Sequence, residues 1–299
     1  MLDYDEIRNI QNVYKNQKNV MAYIRKKKST LKNSPDAILF SYDLQSGKNY
    51  SHRLEKRKER VWYSIGETIN NIISEYKTKN VLEAGMGEGN TLVHATSKNK
   101  INSKFFGFDI SLSRLLYAKR YLEKSKIKNT TLFTADIGNV PLSDNSMDMV
   151  YTSFALEPNY GRERALLQEL FRITSKYLVL IEPSYELGSS KTRKHIEVHG
   201  YVRNIPKIIK NLGHNILKHE LITSFKSSNQ ASLIVVEKNS ENKKSRNQKF
   251  VSPISGEKLY NRKNYWYCKK DGHIFPIING ISCLIKENGI LCSKISSFR

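Results

Sequence analysis

A short apolar strand leads directly into a turn that carries three glycines at alternate positions. The strand is Val81-Leu82-Glu83-Ala84, the turn is Gly85-Met86-Gly87-Glu88-Gly89, and a helical pattern follows. Glycine has no Cβ, so the backbone can bend sharply here and a ligand can approach it closely. A strand, a glycine turn and a helix in this order predict an open α/β sheet with a ligand bound over the turn. Taken alone, such a turn is a weak signal, because many strand ends carry glycines merely to turn.

Short apolar runs alternate with amphipathic segments from residue 79 to about residue 238. This is the pattern of repeated βαβ units around a mainly parallel sheet. Strands are predicted near 79–84, 104–109, 130–134, 147–153, 176–182, 215–224 and 230–237. Helices are predicted near 89–98, 111–125, 162–173 and 192–211. The last two strands are separated by Ser227-Ser228-Asn229 and can pair as an antiparallel hairpin.

A carboxylate closes the second predicted strand. Phe105-Phe106-Gly107-Phe108 leads into Asp109, at a position well beyond the glycine turn. A carboxylate in this place can accept hydrogen bonds from both hydroxyls of a ribose, one on each oxygen. The alternative is that Asp109 caps a helix, because a helical pattern begins at Ser111.

Two further elements follow in the same order. Thr134-Ala135-Asp136-Ile137 comes after the third strand, and Pro141 to Val150 enters the fourth. With the glycine turn and Asp109, these elements resemble class I S-adenosylmethionine-dependent methyltransferases, and their glycine spacing differs from that of the dinucleotide-binding fingerprint. The resemblance covers about residues 55–238. It implies an α/β fold with a Rossmann-like, seven-stranded methyltransferase sheet and S-adenosyl-L-methionine as the cofactor.

The resemblance also implies which residues contact the cofactor. Glu83 suits the ammonium group, Asp109 the ribose hydroxyls and Asp136 the adenine amino group. The backbone amide of Ile137 would contact the adenine ring. The remaining expected contacts lie in the glycine turn and at the end of the fourth strand: Gly85, Gly87, Gly89 and Ser153. No metal is expected in this site.

Methyl transfer from a sulfonium needs alignment of the nucleophile and, where this is a hydroxyl or an amine, a general base. Ligands of open α/β folds bind at the carboxyl edge of the sheet, so candidate bases follow the fourth and fifth strands. Glu157 is the first candidate, Glu182 the second and Tyr185 the third. For Glu157 the alternative is a loop carboxylate in a salt bridge.

Residues 1–54 form a basic, polar leader, with helices predicted near 4–16 and 18–28 and a looser stretch around Ser34-Pro35-Asp36. Its segment from Phe40 to Tyr50 resembles one that folds over the cofactor as a lid in many small-molecule methyltransferases. Aromatic side chains in such a lid would exclude water from the sulfonium and attract it by cation–π interaction. Ordinary packing of these tyrosines is the alternative.

A linker without apolar residues is predicted over 239–249, and a small β-rich module over 250–299. The module resembles the Trm112-like zinc ribbon in its second half. In its first half Ser252 and Ser255 stand where a cysteine pair is expected, and only Cys268 remains. A structural zinc ion needs about four ligands. We therefore expect a metal-free module that serves packing, dimer contact or substrate recruitment.

The charge balance bears on possible partners. The chain has 50 Lys and Arg against 28 Asp and Glu, a formal net charge of +22. Such a surplus favours anionic partners, but the lysines are spread along the chain, as in proteins with a general lysine bias. No apolar stretch reaches the roughly 18–20 residues of a membrane span, and charges interrupt the N-terminus before a signal peptide could form. A cytoplasmic location is expected.

Three functions remain open from the sequence. The first is a methyltransferase acting on a hydroxyl or amine of a small molecule, such as a sugar or surface-glycan intermediate; a homodimer is a further expectation. The alternative is an RNA methyltransferase, which the charge favours, although no Asn/Asp-Pro-Pro-Tyr/Phe motif follows the fourth strand and the core domain has no cysteine. The third is a catalytically silent S-adenosylmethionine-binding scaffold. The glycine turn, with Asp109 and Asp136 both present, argues against a scaffold.

Overall fold

The computed structural model describes residues 4–30, 32–47, 56–97, 101–222, 229–239 and 250–295, without the side chains of 56–59. The helices are α1 Tyr4–Lys15, α2 Val20–Lys27, α3 Pro35–Leu44, α4 Lys56–Tyr76, α5 Asn90–Ser97, α6 Leu112–Lys124, α7 Glu163–Ile173, α8 Ser190–His199 and α9 Ile205–Asn211. The strands are β1 Asn80–Ala84, β2 Lys104–Asp109, β3 Thr130–Thr134, β4 Met147–Ser153, β5 Thr174–Pro183, β6 Asn215–Leu221, β7 Ala231–Glu237, β8 Leu259–Arg262, β9 Tyr265–Cys268, β10 His273–Ile278, β11 Ile281–Cys283 and β12 Ile290–Leu291.

The described strands join in one sheet in the order β6-β7-β5-β4-β1-β2-β3-β11-β10-β9-β8, with β12 paired to β10. Strands β1 to β5 pair in parallel, and β7 lies antiparallel between β5 and β6. This confirms the predicted Rossmann-like α/β class and the antiparallel pairing of the last two predicted strands. The sheet is longer than the seven strands expected, because strands of the C-terminal module continue it.

Helices cover both faces of the sheet. Helices α7 and α9 pack on one face through side chains such as Leu167 and Ile209. Helices α4, α5 and α6 pack on the other face, where Ile69 and Leu115 are fully buried. Burial of each such side chain stabilises the fold by roughly 1.5–3 kcal/mol. The packing fixes the carboxyl ends of the parallel strands at one edge of the sheet.

The stretch around Ser34-Pro35-Asp36 is not loose, and this prediction was wrong. Ser34 caps α3: its side-chain oxygen accepts a hydrogen bond of 3.2 Å from the Ala37 N–H. Pro35 then occupies the first turn, where a missing N–H costs nothing and the fixed φ suits a helix. The proline that suggests a loop in the sequence therefore starts a helix.

The single helix predicted over 192–211 is instead two helices, α8 and α9. Gly200 ends α8 in the left-handed conformation, with φ of 64°, and its N–H bonds to the Glu197 carbonyl. Asn204 is also left-handed, with φ of 58°, immediately before α9. Glycine and asparagine are the residues that adopt this conformation at low cost. The chain therefore turns between the two helices.

The C-terminal module is attached to the edge of the parallel sheet. Strand β11 pairs in parallel with β3, so that Ser282 lies opposite Phe133 and Cys283 lies opposite Thr134. The Leu284 N–H donates a hydrogen bond of 2.9 Å to the Thr134 hydroxyl. The predicted linker from residue 240 and the hairpin tip at 223–228 lie outside the described residues.

The N-terminal helices form a small cap with its own apolar cluster, which includes Ile10, Val20 and Ile24. The cap docks on the loop after β4, since the buried Asn33 side chain donates a 2.8 Å hydrogen bond to the Pro158 carbonyl. Among the described residues, no helix is long and apolar enough to cross a membrane.

Candidate active site

The turn after β1 has the backbone that its glycines allow. Gly85, Gly87 and Gly89 have positive φ angles of 69°, 56° and 80°. A Cβ on Gly85 would lie 2.5 Å from the Cβ of Ala155, in the loop after β4. The two loops therefore approach each other at a distance that only glycine permits. A Cβ on Gly89 would lie 3.4 Å from that of Ala118 on α6, which indicates a packing role.

Asp109 is tied to this turn by its carboxylate. One oxygen accepts a 2.9 Å hydrogen bond from the Gly87 N–H, and the other accepts a 2.9 Å bond from the Ser111 N–H. Burial raises the pKa of Asp109, an effect that the nearby Arg114 guanidinium and the two backbone bonds oppose. The helix cap is Ser111, whose hydroxyl accepts from the Arg114 N–H. Asp109 thus orders the turn and the start of α6.

Glu83 is a buried carboxyl group directly before the turn. It accepts a 2.9 Å hydrogen bond from the Tyr151 hydroxyl on β4. Burial raises the pKa of Glu83 from 4.5 to about 8, against the opposing effect of the Tyr151 bond. Burying a carboxylate without a cationic partner is costly. A cation brought next to Glu83 would therefore favour its ionised form.

The third wall of the site follows β3. Asp136 forms an ion pair with Arg162 at 3.3 Å and accepts a 2.9 Å hydrogen bond from the Gly138 N–H. Ile137 follows it in the same turn. At the end of β4, the Ser153 hydroxyl accepts a 3.2 Å hydrogen bond from the Thr91 hydroxyl at the start of α5.

These residues enclose a cavity of about 310 Å³, within the size range of sites that hold small molecules. Most of the predicted site residues line it: Glu83, Gly85, Gly87, Asp109, Asp136, Ile137, Ser153 and Glu157. Gly89, Glu182 and Tyr185 are not among the residues that line it. The carboxyl ends of four parallel strands thus supply one site, as the sequence predicted.

Glu157 and Glu182 have different surroundings. Glu157 lines the cavity and accepts a hydrogen bond from the Asn229 side chain. Burial, and next the charge of Glu182, raise the pKa of Glu157 to about 8. Burial likewise raises the pKa of Glu182 to about 7. Glu182 accepts hydrogen bonds of 3.0, 3.0 and 3.1 Å from the N–H groups of Ala155, Leu156 and Glu157, so it shapes the loop that carries Glu157.

Tyr185 lies farther along the same edge. Its hydroxyl donates a 2.8 Å hydrogen bond to Glu197 on α8, and the Arg203 guanidinium lies 5.3 Å from its ring centroid. The bond to Glu197 raises the pKa of Tyr185. Its nearest described partners are therefore on α8 and in the turn after it.

The cap closes one side of the cavity. Pro35, Ile38 and Tyr42 of the cap line it, and the Arg114 guanidinium lies 4.6 Å from the Tyr42 ring centroid. The Ser111 hydroxyl donates a 2.7 Å hydrogen bond to Asp43. The segment from Phe40 to Tyr50 is described as far as residue 47, and its role as a lid stays a prediction; residues 48–50 lie outside the described part of the chain.

Several cavity residues were not predicted from the sequence. Arg114 belongs to the first turn of α6, and its helical position after a serine cap was the available signal. Trp62 and Phe154 meet edge to face at 6.0 Å, and Phe154 has a φ of 57°, which is rare for a bulky residue. No local sequence pattern predicts this strained backbone conformation. Asn229 comes next to the hairpin tip, where only its polarity could have singled it out.

Two side-chain oxygens in the cavity wall suit a ligand with several donors. Glu88 accepts a 2.7 Å hydrogen bond from the Gly47 N–H with one carboxylate oxygen, while its other oxygen has no hydrogen-bond partner among the described residues. The same holds for the side-chain oxygen of Asn90. Both side chains are buried and line the cavity. With Glu83 and Asp109, the site offers acceptors for hydroxyl and ammonium groups, which is what S-adenosylmethionine presents.

The comparisons with known proteins agree with this geometry. Residues 81–176 match the family described as "Methyltransferase domain". The chain contains a methyltransferase domain. The match spans β1, with its glycine turn, to the start of β5. No curated protein matches the chain. The family match does not reach residues 250–299, so the resemblance of the module to a zinc ribbon stays a prediction.

Solved methyltransferases are similar to this chain at low sequence identity. Magnesium protoporphyrin IX methyltransferase of Synechocystis PCC 6803, solved with S-adenosylhomocysteine bound, is 17% identical with a TM-score of 0.51, over 64% of this chain and 90% of its own. A methyltransferase of Aquifex aeolicus is 20% identical with a TM-score of 0.43, over 56% and 88%. Geranyl diphosphate C-methyltransferase of Streptomyces coelicolor A3(2) is 11% identical with a TM-score of 0.46, over 63% and 86%.

The methyltransferase domain confirms the predicted enzyme class and cofactor. The protein is therefore a methyltransferase, and this domain supports S-adenosylmethionine as its cofactor. At 17% identity, the likeness to the Synechocystis enzyme concerns the fold alone. The methyl acceptor has to be argued from the site itself.

We expect the unliganded protein to lose stability as the pH rises from about 5 to about 8. A carboxyl group with a raised pKa holds its proton better in the folded chain. Its contribution is complete below the unfolded pKa of 4.5 and is lost as the pH approaches about 8. The slope is at most about 1.4 kcal/mol per pH unit for Glu83. Urea unfolding at several pH values measures it. Glu83→Gln should flatten the dependence, and an unchanged slope in that variant would contradict the assignment.

Proposed function

We propose that this enzyme transfers the methyl group of S-adenosylmethionine to a hydroxyl or amine of a small molecule, with Glu157 as the general base. The observation that carries this proposal is the position of Glu157. Its side chain lines the same cavity as Glu83 and Asp109, and its pKa is raised to about 8. A base works best when its pKa lies near the working pH.

The cofactor contacts in this proposal follow the cavity wall. Glu83 receives the ammonium group, and the pKa of its carboxyl falls as the cation approaches. Asp109 receives the ribose hydroxyls, since each of its oxygens retains accepting capacity beside its backbone bond. Asp136 and Ile137 face the adenine end. The glycine turn, with Gly85 and Gly87 in the wall and Gly89 behind it, leaves room for the chain of the nucleoside.

When bound, the cofactor supplies an activated methyl group, so this chain has to align the acceptor and take its proton. Glu157 takes the proton from the acceptor oxygen or nitrogen, and Asn229 holds its carboxylate in place by a hydrogen bond. Glu182 positions the loop through three backbone N–H groups and carries no proton in the reaction. Tyr185, bonded to Glu197 outside the cavity lining, takes no part in proton transfer.

A small acceptor is supported by the enclosure of the site. The cap covers the cavity with Ile38 and Tyr42, and Trp62 and Phe154 add an aromatic wall near Glu157. These groups exclude water from the reacting atoms. Sugars and surface-glycan intermediates, which combine hydroxyl groups with an apolar ring face of C–H groups, are the acceptor class that we propose to test first.

The test is transfer of a tritiated methyl group from S-adenosylmethionine by the full-length protein. The acceptors are free hexoses and sugar nucleotides, primary amines of similar size, and total bacterial RNA, each tested over a range of about 1 μM to 1 mM. We expect label to be incorporated into a small hydroxyl or amine compound. We also expect any binding of the protein to RNA to be lost as the salt concentration rises. Label only in RNA at physiological salt would overturn the proposal in favour of an RNA methyltransferase. Binding of S-adenosylhomocysteine without transfer to any acceptor would favour a scaffold.

A further inference from the structure

The C-terminal module contains two turns of the same construction. In the first, Ser252 and Ser255 are three positions apart, and the Gly256 N–H donates to the Ser252 carbonyl at 2.8 Å. In the second, Cys268 and Asp271 are three positions apart, and the following glycine N–H donates to the Cys268 carbonyl at 3.0 Å. Both closing glycines have positive φ angles, 72° and 71°. Paired turns of this spacing are how proteins present four ligands to a structural metal.

The four side chains of these turns meet, and Asp271 is their centre. One Asp271 oxygen accepts hydrogen bonds of 2.6 Å from the hydroxyls of Ser252 and Ser255. The Ser255 hydroxyl lies 3.7 Å from the Cys268 sulfur. The other Asp271 oxygen accepts a 3.0 Å bond from the His273 N–H. Ser252 and Cys268 are almost completely buried. We call these four residues the knuckle.

The knuckle does not fit the zinc ion that the ribbon resemblance implies. Zinc sites in proteins use cysteine, histidine or carboxylate ligands, and two of the four positions here are serines. Within the described part of the chain, no group of three or more His, Cys, Asp and Glu side chains is placed to hold a metal. Burial alone would raise the pKa of Asp271, but the hydrogen bonds to its carboxylate, those from Ser252 and Ser255 first, together outweigh this effect and lower the pKa. At neutral pH the carboxylate is therefore an ionised acceptor.

The first knuckle turn contacts the segment after β3, in which Asp136 and Ile137 line the cavity. The Asn139 side chain donates a 2.8 Å hydrogen bond to the carbonyl of Pro253, inside the first knuckle turn. Asn139 also donates its N–H to the Asp136 carbonyl at 3.0 Å. Next to it, the Val251 N–H donates to the Pro141 carbonyl at 3.1 Å. The segment 136–141, which carries the adenine-side residues, is thus held by the module.

We propose that Asp271 takes the place of a metal ion in the knuckle, and that the knuckle positions segment 136–141 for cofactor binding through Pro253 and Asn139. Asp271 is a positioning residue, because it touches neither the cofactor nor the reacting atoms. The second half of the proposal rests on the cofactor site described above.

The experiment measures binding of S-adenosylhomocysteine by calorimetry, together with the melting temperature and the zinc content of the full-length protein. For Asp271→Ala we expect roughly tenfold weaker binding and a lower melting temperature, because two buried hydroxyls lose their acceptor. The triple variant Ser252→Cys, Ser255→Cys, Asp271→Cys, which keeps Cys268, should bind one zinc ion per chain. With zinc its affinity for S-adenosylhomocysteine should return to within about threefold of the wild type, and a chelator should remove that gain.

Asn139→Ala separates positioning from folding. It breaks the link to Pro253 but leaves the knuckle intact, so binding should weaken about threefold to tenfold at a nearly unchanged melting temperature. Wild-type protein that contains zinc and loses its melting transition on chelation would overturn the proposal, as would a triple variant that binds no zinc. Unchanged affinity in both Asp271→Ala and Asn139→Ala would overturn the positioning role. Wild-type protein that binds no S-adenosylhomocysteine would instead refute the cofactor site, and zinc content would still decide the first half.

Discussion

Replacing Asp109 with alanine is expected to weaken binding of S-adenosylhomocysteine by at least about 100-fold. In the proposed site the variant loses the acceptor for the two ribose hydroxyls, and a hydrogen bond to a charged group contributes about 1.5–3 kcal/mol. Two such bonds correspond to about 3 kcal/mol or more, which is over a hundredfold in affinity. The glycine turn also loses the bond from Gly87 that holds it open. Isothermal titration calorimetry measures the change directly.

Glu123→Ala is the matched control for this variant. Glu123 is an exposed carboxylate on α6, and its nearest ion pair, with Lys119, is 3.9 Å long. Such surface pairs contribute little, so binding should stay within about twofold of the wild type. Circular dichroism should show that Asp109→Ala remains folded. A folded Asp109→Ala protein that binds as tightly as the wild type would remove the ribose role of this carboxylate.

The sequence predicted the central fold well, because strand ends and glycine turns are local signals. The boundaries of β2, β3 and β4 agree with the predicted ranges, and Asp109 closes β2 as expected. The errors came from residue types that occur in two different local structures. Pro35 is a loop residue in one context and a first-turn helix residue in another. A glycine inside a polar helical pattern can lie within a helix or end one. Gly200 ends α8, and only its left-handed backbone conformation shows this.

The candidate site was predicted as far as it follows strand ends, and no farther. Glu83, Asp109, Asp136 and Glu157 lie just before or after the ends of parallel strands, so topology brings them together. Arg114 and Trp62 belong to helices, and their approach to the cavity depends on how those helices pack. No local sequence pattern predicts how these helices pack toward the cavity.

The C-terminal module shows a different limit. The sequence indicates that Ser252 and Ser255 replace metal ligands, but it does not indicate that Asp271 accepts their hydrogen bonds. A carboxylate that follows two lysines and precedes a glycine gives no sign of accepting bonds from two serine hydroxyls. The contact joins residues 16 and 19 positions apart, across two strands. Only the pairing of β8 with β9 brings the two turns face to face.

Glu157→Gln is expected to lower kcat by about 100-fold to 10,000-fold, which is the usual contribution of a general base. Glutamine keeps the size of the side chain and can still bond to Asn229, but it cannot accept the acceptor's proton. Binding of S-adenosylhomocysteine should stay within about threefold, because the proposed ribose and ammonium contacts are made by Asp109 and Glu83 and not by Glu157. Initial rates with a saturating acceptor, and calorimetry on the same preparations, check both expectations.

The pH dependence of kcat tests whether Glu157 acts as a base. A general base must be ionised, so the rate of the wild type should be low well below pH 8 and should rise as the pH passes the pKa of Glu157, about 8. In Glu157→Gln that rise should disappear. Glu197→Gln is an exposed change, and its amide oxygen can still accept the hydrogen bond from the Tyr185 hydroxyl. This variant should keep both the rate and its pH profile. If Glu157→Gln retains the rise while Glu197→Gln loses it, proton transfer runs through Tyr185, and Glu157 only shapes the cavity.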